Sequence, residues 1–158
     1  MVGFADEFEC SVAPARMFKA AVLDVHNLAP KIMPHVVSGA GLLKGDGGVG
    51  SVKQIKFTDV VPFGYFNERV DVLDKDNLVY SYTIIEGADV GTKLISSVYH
   101  VKFVPSGNGG CVIKTTAEFT PAAGVTYTEA DVNVHKEGVT GMYKAVSAHL
   151  EQNPDAYA

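Results

Sequence analysis

Residues 129–152 read EADVNVHKEGVTGMYKAVSAHLEQ, and the spacing of their apolar positions decides the fold. Val132, Val139, Met142, Tyr143, Val146 and Leu150 recur at the intervals of one helix face. Asn153-Pro154 ends the run, because proline cannot continue a helix. That face is incomplete. Gly138 and Gly141 leave gaps in it, Met142 is a flexible filler, and alanine and serine dominate the last turns. A helix of this kind covers a surface loosely.

The rest of the chain supplies the surface. Residues 3–12 read as a strand, with Phe4, Phe8 and Val12 among polar partners. Pro14 opens a helix over 15–25, since proline suits a first turn. Asp24 to Asn27 interrupts it, and a second short helix runs to Met33, closed by Pro34. Six strands follow, over 38–44, 51–58, 64–73, 77–86, 92–104 and 111–120, separated by turn signals such as Gly45–Gly50 and Ser106–Gly110. The pattern predicts an α+β fold. A seven-stranded curved antiparallel sheet wraps a long C-terminal helix, two short helices form a V, and residues 1–158 make one ligand-binding domain. An apolar sheet face has to be covered. Where the covering helix has gaps, the concave face becomes a cavity.

Composition narrows the function classes. A net charge of −5 over 158 residues argues against nucleic acid as a partner, which needs a basic face. No apolar run is long enough to span a membrane. The N-terminal MVGFADEFECSV carries acids where a secretory signal needs a basic region and an apolar core, so a cytoplasmic location is expected. Cys10 and Cys111 sit in apolar strand runs and read as small buried hydrophobes, with a redox-sensitive thiol as the alternative. His26, His35, His100, His135 and His149 are scattered without metal-site spacing, so no metal and no cofactor are expected. A monomer is the default.

Several segments together carry a resemblance. They are the glycine loop Gly45-Asp46-Gly47-Gly48-Val49-Gly50-Ser51, the run Ile85-Glu86-Gly87, the terminal Asn153-Pro154-Asp155-Ala156-Tyr157 and the helix segment Arg16-Met17-Phe18-Lys19-Ala20. The chain is similar over its whole length to the plant pathogenesis-related class-ten proteins, the major birch pollen allergen (Bet v I) family. The resemblance implies a helix-grip fold and an internal cavity for cytokinins, brassinosteroids, flavonoids, fatty acids or alkaloids. The implied setting is plant defence or stress. Lys44 departs from the family, which usually has Glu before the first glycine.

Strand and helix alternation proposes the lining of that cavity. Lys53, Ile55 and Phe57 share a face of one strand, Tyr65 lies on the next, and Tyr80, Tyr82 and Ile84 share a face of the one after. Tyr99 and Val101 follow on the next strand. Val134, Gly138, Val139 and Met142 come from the long helix, and Val22, His26 and Ala29 from the short ones. Tyrosines combine an apolar body with a hydroxyl and suit flat ligands with few polar groups. Lys53 would be a donor for a polar ligand group, because a buried ammonium is costly without a partner. The glycine loop reads as a rigid hairpin rather than a phosphate cradle, since it runs into a strand and lacks the lysine of a nucleotide loop.

No catalytic residues are assigned, and a non-catalytic carrier of small apolar or amphipathic plant metabolites is the first reading. Two enzyme alternatives come from the resemblance. A ribonuclease of the family would use two glutamates and a tyrosine where this chain has Ile95, Ser147 and His149, so the acid pair is missing. An amine–aldehyde condensing enzyme of alkaloid biosynthesis would use Lys114 and Tyr99, with its glutamate falling near Val101.

Overall fold

The computed structural model describes residues 2–158. Its strands are β1 (Val2–Cys10), β2 (Val37–Lys44), β3 (Val52–Phe57), β4 (Tyr65–Asp74), β5 (Val79–Gly87), β6 (Leu94–Pro105) and β7 (Cys111–Pro121). They form one antiparallel sheet in the order β1-β7-β6-β5-β4-β3-β2. Each predicted strand is present, with ends shifted by no more than two residues. The seven-stranded sheet, the short helices and the long C-terminal helix are those the sequence pattern requires.

β1 and β2 are consecutive strands yet occupy opposite edges, so the link between them has to cross the open side of the curved sheet. Helix α1 (Pro14–Phe18) makes the first part of the crossing and runs on into a π-helical turn at Lys19–Leu23. Asp24 leaves helical geometry, with φ −125° and ψ 15°, and α2 (Val25–Ile32) starts directly after it. The expected break over 24–27 is therefore one residue wide, because the Asn27 side chain bonds to Asp24 and lets the new helix begin at once. Register shifts in the β2–β3, β4–β5 and β6–β7 pairs bend the sheet around its concave face. At the end of β5, Gly87 has φ +80° and passes so close to the Tyr65 carbonyl oxygen that a β-carbon would sit 2.2 Å from it. Only glycine fits there.

Helix α3 (Glu129–Gln152) is fastened at both ends. At its start a capping box joins Thr128 and Asp131: the Asp131 amide donates to Thr128 Oγ1 at 3.1 Å and the Thr128 amide to Asp131 Oδ2 at 2.9 Å. At its end, Arg16 of α1 donates to three carbonyls, those of Leu150 (2.8 Å), Asn153 (2.6 Å) and Ala156 (2.7 Å). These bonds satisfy acceptors that a helix end leaves without intrahelical partners. Among the strands, α3 makes its close approach to β1 and stands off from the middle of the sheet.

The interior reflects that standoff. Buried apolar residues fall into three clusters rather than one continuous core. The first gathers Met17, Phe18, Phe103, Cys111, Ile113 and Leu150 near the end of α3. The second gathers Ile84, Leu94, Phe119, Tyr127 and Val132 near its start. The third, smaller one holds Ala29, Val37 and Ile55. Tyr82 and Val139 touch both of the larger clusters. Among the described residues no helix is long and apolar enough to cross a membrane.

The arginine clamp is separable from the apolar packing. Arg16→Ala should lower stability by about 1–2 kcal/mol, the scale for losing charge-assisted bonds at a half-exposed site. Arg16→Lys should recover only part of the loss, since an ammonium lacks the guanidinium fork. A urea midpoint unchanged in Arg16→Ala would contradict this account.

Candidate functional site

The space among the three clusters is a cavity of about 510 Å³. Its floor is the concave face of the sheet, where Ile55 and Phe57 of β3, Phe66 and Glu68 of β4, Tyr80, Tyr82 and Ile84 of β5 and Tyr99 of β6 contribute side chains. α2 and the π-helical turn supply Ala21, Val22, Val25, Ala29 and Met33 as one wall. The roof is α3, through Val134, His135, Glu137, Gly138, Val139, Met142 and Tyr143. Val60, Val61, Pro62 and Phe63, in the β3–β4 loop, close the side between floor and roof.

The glycine gap in α3 opens here. A β-carbon on Gly138 would meet nothing within 4 Å. On the floor, Tyr82 lies flat against Tyr99, their ring centres 4.7 Å apart and their planes 5° from parallel, and Tyr80 is 5.2 Å from Tyr82. The result is a phenolic shelf. Burial, with the Glu68 charge adding to it, holds the hydroxyl of Tyr82 well above its usual pKa, so it stays protonated as a neutral donor.

One buried polar set lies at the inner end of the shelf. The Tyr80 hydroxyl donates to Glu68 Oε2 at 2.5 Å, and the Lys53 ammonium lies 4.8 Å over the Tyr80 ring while donating to the Val22 carbonyl at 2.8 Å. Lys53 is 1% exposed and Glu68 6%, so both ions are held out of water. Burial pushes the Lys53 pKa down and the Glu68 pKa up, while each opposes the other's shift by its charge. Tyr80 links the two, offering its hydroxyl to the anion and its ring face to the cation.

A second polar set lies by the start of α3. The Tyr127 hydroxyl donates to Asp89 Oδ2 at 2.5 Å and lies 2.5 Å from His135 Nε2. A phenol has one proton, so with that proton on Asp89 it is the imidazole Nε2–H that donates to Tyr127. The His135 ring also stacks on Phe63 at 5.3 Å, with 9° between the planes. Four segments are thereby joined: the β3–β4 loop, the β5–β6 loop, the β7–α3 connection and the first turns of α3. Burial lowers the His135 pKa below 6.5, and the Asp89 and Asp131 charges offset part of that.

Twelve residues proposed from alternation lie on the cavity wall: Val22, Ala29, Ile55, Phe57, Tyr80, Tyr82, Ile84, Tyr99, Val134, Gly138, Val139 and Met142. Four do not. Tyr65 is on the outer face, where its hydroxyl donates to Glu86 at 2.8 Å; β4 turns Phe66 and Glu68 inward instead. Val101 is buried in the solid cluster under the end of α3. His26 lies at the start of α2, beside Asn27 and outside the lining. Lys53 points inward as its strand face requires, but its ammonium is already taken by Val22 and Tyr80.

The sequence reading missed Glu68 and His135, and it pointed to the 58–64 loop only as a way in, naming none of its side chains as lining. For Glu68 the signal was there, as Phe66, Glu68 and Val70 alternate, but a carboxylate in that row masks an inward face. Lys114 is exposed on the outer face of β7. Ile95 is exposed, and Ser147 bonds back to the Lys144 carbonyl of its own helix. The glycine loop is a hairpin with left-handed glycines at 45, 47 and 50. Its Gly47 and Gly48 amides are spent on Ser51 and Asp46.

Comparison with known proteins gives this architecture its relatives. Residues 2–153 match the model of the pathogenesis-related protein Bet v 1 family. The chain is 42% identical over 154 residues to the major allergen Pru ar 1 of Prunus armeniaca, covering 98% of this chain and 96% of that protein. It is also 42% identical over 155 residues to pathogenesis-related protein 1 of Asparagus officinalis, with the same coverage. Among solved structures, Ara h 8.0201 superposes with a TM-score of 0.85 at 26% identity, over 96% of this chain and 99% of that one. Norcoclaurine synthase from Thalictrum flavum shares the fold, with a TM-score of 0.81 at 18% identity over 96% and 87% of the two chains. The chain belongs to the Bet v 1 family.

Both polar sets can be tested through stability. Lys53→Met strands the buried Glu68 charge and should cost about 3 kcal/mol at neutral pH, whereas Lys53→Met with Glu68→Gln should cost less than the sum of the two single changes. Strict additivity of the unfolding free energies would refute the coupling.

For His135 the sign follows from its lowered folded pKa. The stabilisation is complete above 6.5, the unfolded value, and drains away as pH falls towards the folded one. Between about pH 6.5 and 5, wild-type stability should therefore fall more steeply than that of His135→Gln. Parallel curves in thermal melts would show that the imidazole does not titrate in this way.

Proposed function

We propose that this protein is a non-catalytic carrier or reservoir for apolar and amphipathic small molecules of plant metabolism, held between the sheet and α3. The observation that carries the reading is the cavity of about 510 Å³, within the range of small-molecule sites, with Gly138 leaving open room on its roof. The chemistry of the wall selects the guest. Aliphatic and aromatic side chains take a flat apolar body, and the driving force is roughly 25 cal/mol per Å² buried, less the cost of ordering. The phenols of Tyr82 and Tyr99 and the carboxyl of Glu68 offer a few polar contacts at one end. Plant hormones such as cytokinins, and flavonoids, have that combination of a planar ring system and sparse hydroxyl or amino groups.

Passage would run between α3 and the loops at 58–64 and 87–91. Val60 is 71% exposed in the first of these, and Gly87 and Gly91 flank the second. The family relation to pathogenesis-related proteins supports a role in defence or stress, and we place the protein in the cytoplasm. The reading of Lys114 as the lysine of an amine–aldehyde condensing enzyme is disfavoured by its exposed position on the opposite face of the sheet.

A plug separates this proposal from non-specific surface binding. An anilinonaphthalene sulfonate probe should bind stoichiometrically and be displaced by cytokinins or flavonoids. Gly138→Phe should weaken probe binding by about tenfold or more, equivalent to about 1.4 kcal/mol. Gly141→Phe, which has equally open space but lies outside the cavity lining, should leave binding unchanged. Equal effects of the two substitutions, or no stoichiometric binding, would sink the carrier reading.

A further inference from the structure

The two cysteines, far apart in sequence, face each other across β1 and β7. Cys10 and Cys111 are direct partners in the antiparallel register, at the last pair of the ladder. Directly opposed residues of such a pair project from the same side of the sheet. Their Cα atoms are about 4.5–5.5 Å apart, inside the roughly 4.4–6.8 Å range that a disulfide spans. Cys10 and Cys111 are both free cysteines.

Accessibility divides the pair into two roles. Cys10 is half-buried at the sheet edge, whereas Cys111 is fully enclosed by the apolar cluster under the end of α3. The Cys10 thiol donates to the Val12 carbonyl oxygen at 3.9 Å. The Cys111 thiol supports a thiolate at Cys10 by hydrogen bonding, and this outweighs burial and the Glu151 and Glu9 charges, bringing Cys10 down to about 7. The same contact, with burial, pushes Cys111 up. Cys10 is thus the more accessible of the two, and Cys111 is the enclosed thiol directly opposite it.

We propose that Cys10 and Cys111 form a reversible redox site, in which a peroxide oxidises Cys10 and Cys111 resolves it to a cross-strand disulfide. The Cys10 thiolate attacks one peroxide oxygen, the O–O bond breaks, and the released hydroxide takes a proton to become water. Cys10 is now a sulfenic acid. The Cys111 sulfur then attacks the Cys10 sulfur, the S–O bond breaks, and the leaving hydroxide departs as water with the Cys111 proton. Two thiols lose two electrons, and one peroxide becomes two waters.

The bond would pin β1 where the chain leaves the sheet for α1, beside the contact of Ser11 with Glu151 at 3.2 Å and the Arg16 clamp on α3. It would close a loop running from residue 10 to residue 111, and cross-links closing long loops restrict the unfolded chain most. The region it pins is the one that anchors the cavity's roof.

The test uses the full-length reduced protein and hydrogen peroxide at a small molar excess. Free thiols should fall from two to none while the monomer mass drops by two hydrogens. Non-reduced peptide mapping should show residues 10 and 111 linked, and dithiothreitol should reverse the change. The melting temperature of the oxidised form should be higher by roughly 5 °C or more. In Cys111→Ser, Cys10 should instead accumulate as a sulfenic acid that dimedone captures. Persistence of both thiols, stable oxygen adducts on wild-type Cys10, or disulfide-linked dimers in place of the internal bond would each overturn the proposal. Peptide mapping of the wild-type protein decides the matter alone if Cys111→Ser does not fold.

Discussion

The architecture depends on a helix suspended by its ends. α3 cannot rest on the sheet along its length, because Gly138 offers no side chain and the strands beneath curve away. Its position is set elsewhere: by the capping box and the Tyr127–Asp89–His135 bonds at one end, and by Arg16 on the terminal carbonyls at the other. Both fastenings are polar, directional and located where backbone groups would otherwise go without partners. Apolar packing then fills the space near each fastening, which is why the interior divides into clusters around the two ends of the helix. The cavity is what remains between the supports.

The buried ions belong to the same economy of fixed points. Lys53 and Glu68 lie within the wall of an apolar space, where a lone charge would shift to its neutral form or unfold the site. Tyr80 prevents that by serving both, and the Val22 carbonyl, near the end of the π-helical turn, accepts a hydrogen bond from the ammonium. That bond ties the crossing segment to β3. The polar set is therefore part of the frame that keeps the wall in place, and Glu68, rather than Lys53, is the ion on the cavity surface.

Much of this was legible in sequence, and the limits are physical. The heptad-like recurrence in 129–152 and the glycine-rich turns gave the order of elements, because helix and hairpin formation are local. Strand alternation gave the inward rows of β3 and β5 correctly. It failed on β4, where Tyr65 attracts attention as an aromatic and Glu68 repels it as a charge, though the inward row runs through Phe66 and Glu68. Lys53 could be placed on an inward face, but its partners come from a different helix and a different strand, and no local pattern names them. Loops have no period, so which side chains of the 58–64 loop face inward could not be read. The pairing of Cys10 with Cys111 depends on the register between the first and last strands, which is decided by the whole fold.

The lining also explains how so open an interior can belong to a stable domain. A dry apolar void of about 510 Å³ would cost on the order of 10 kcal/mol if the cost per volume measured for core cavities applied throughout. That is comparable to the entire net stability of an ordinary domain. A wall carrying phenols, a carboxyl and an imidazole is wettable, and a wetted space avoids most of that penalty. The same property makes the space receptive. A guest that covers the apolar shelf and leaves the few polar groups partnered gains burial, and it asks little rearrangement of a frame held by its ends. Binding and stability are then linked by mass action, since a guest that needs the roof in place stabilises every contact that holds the roof there.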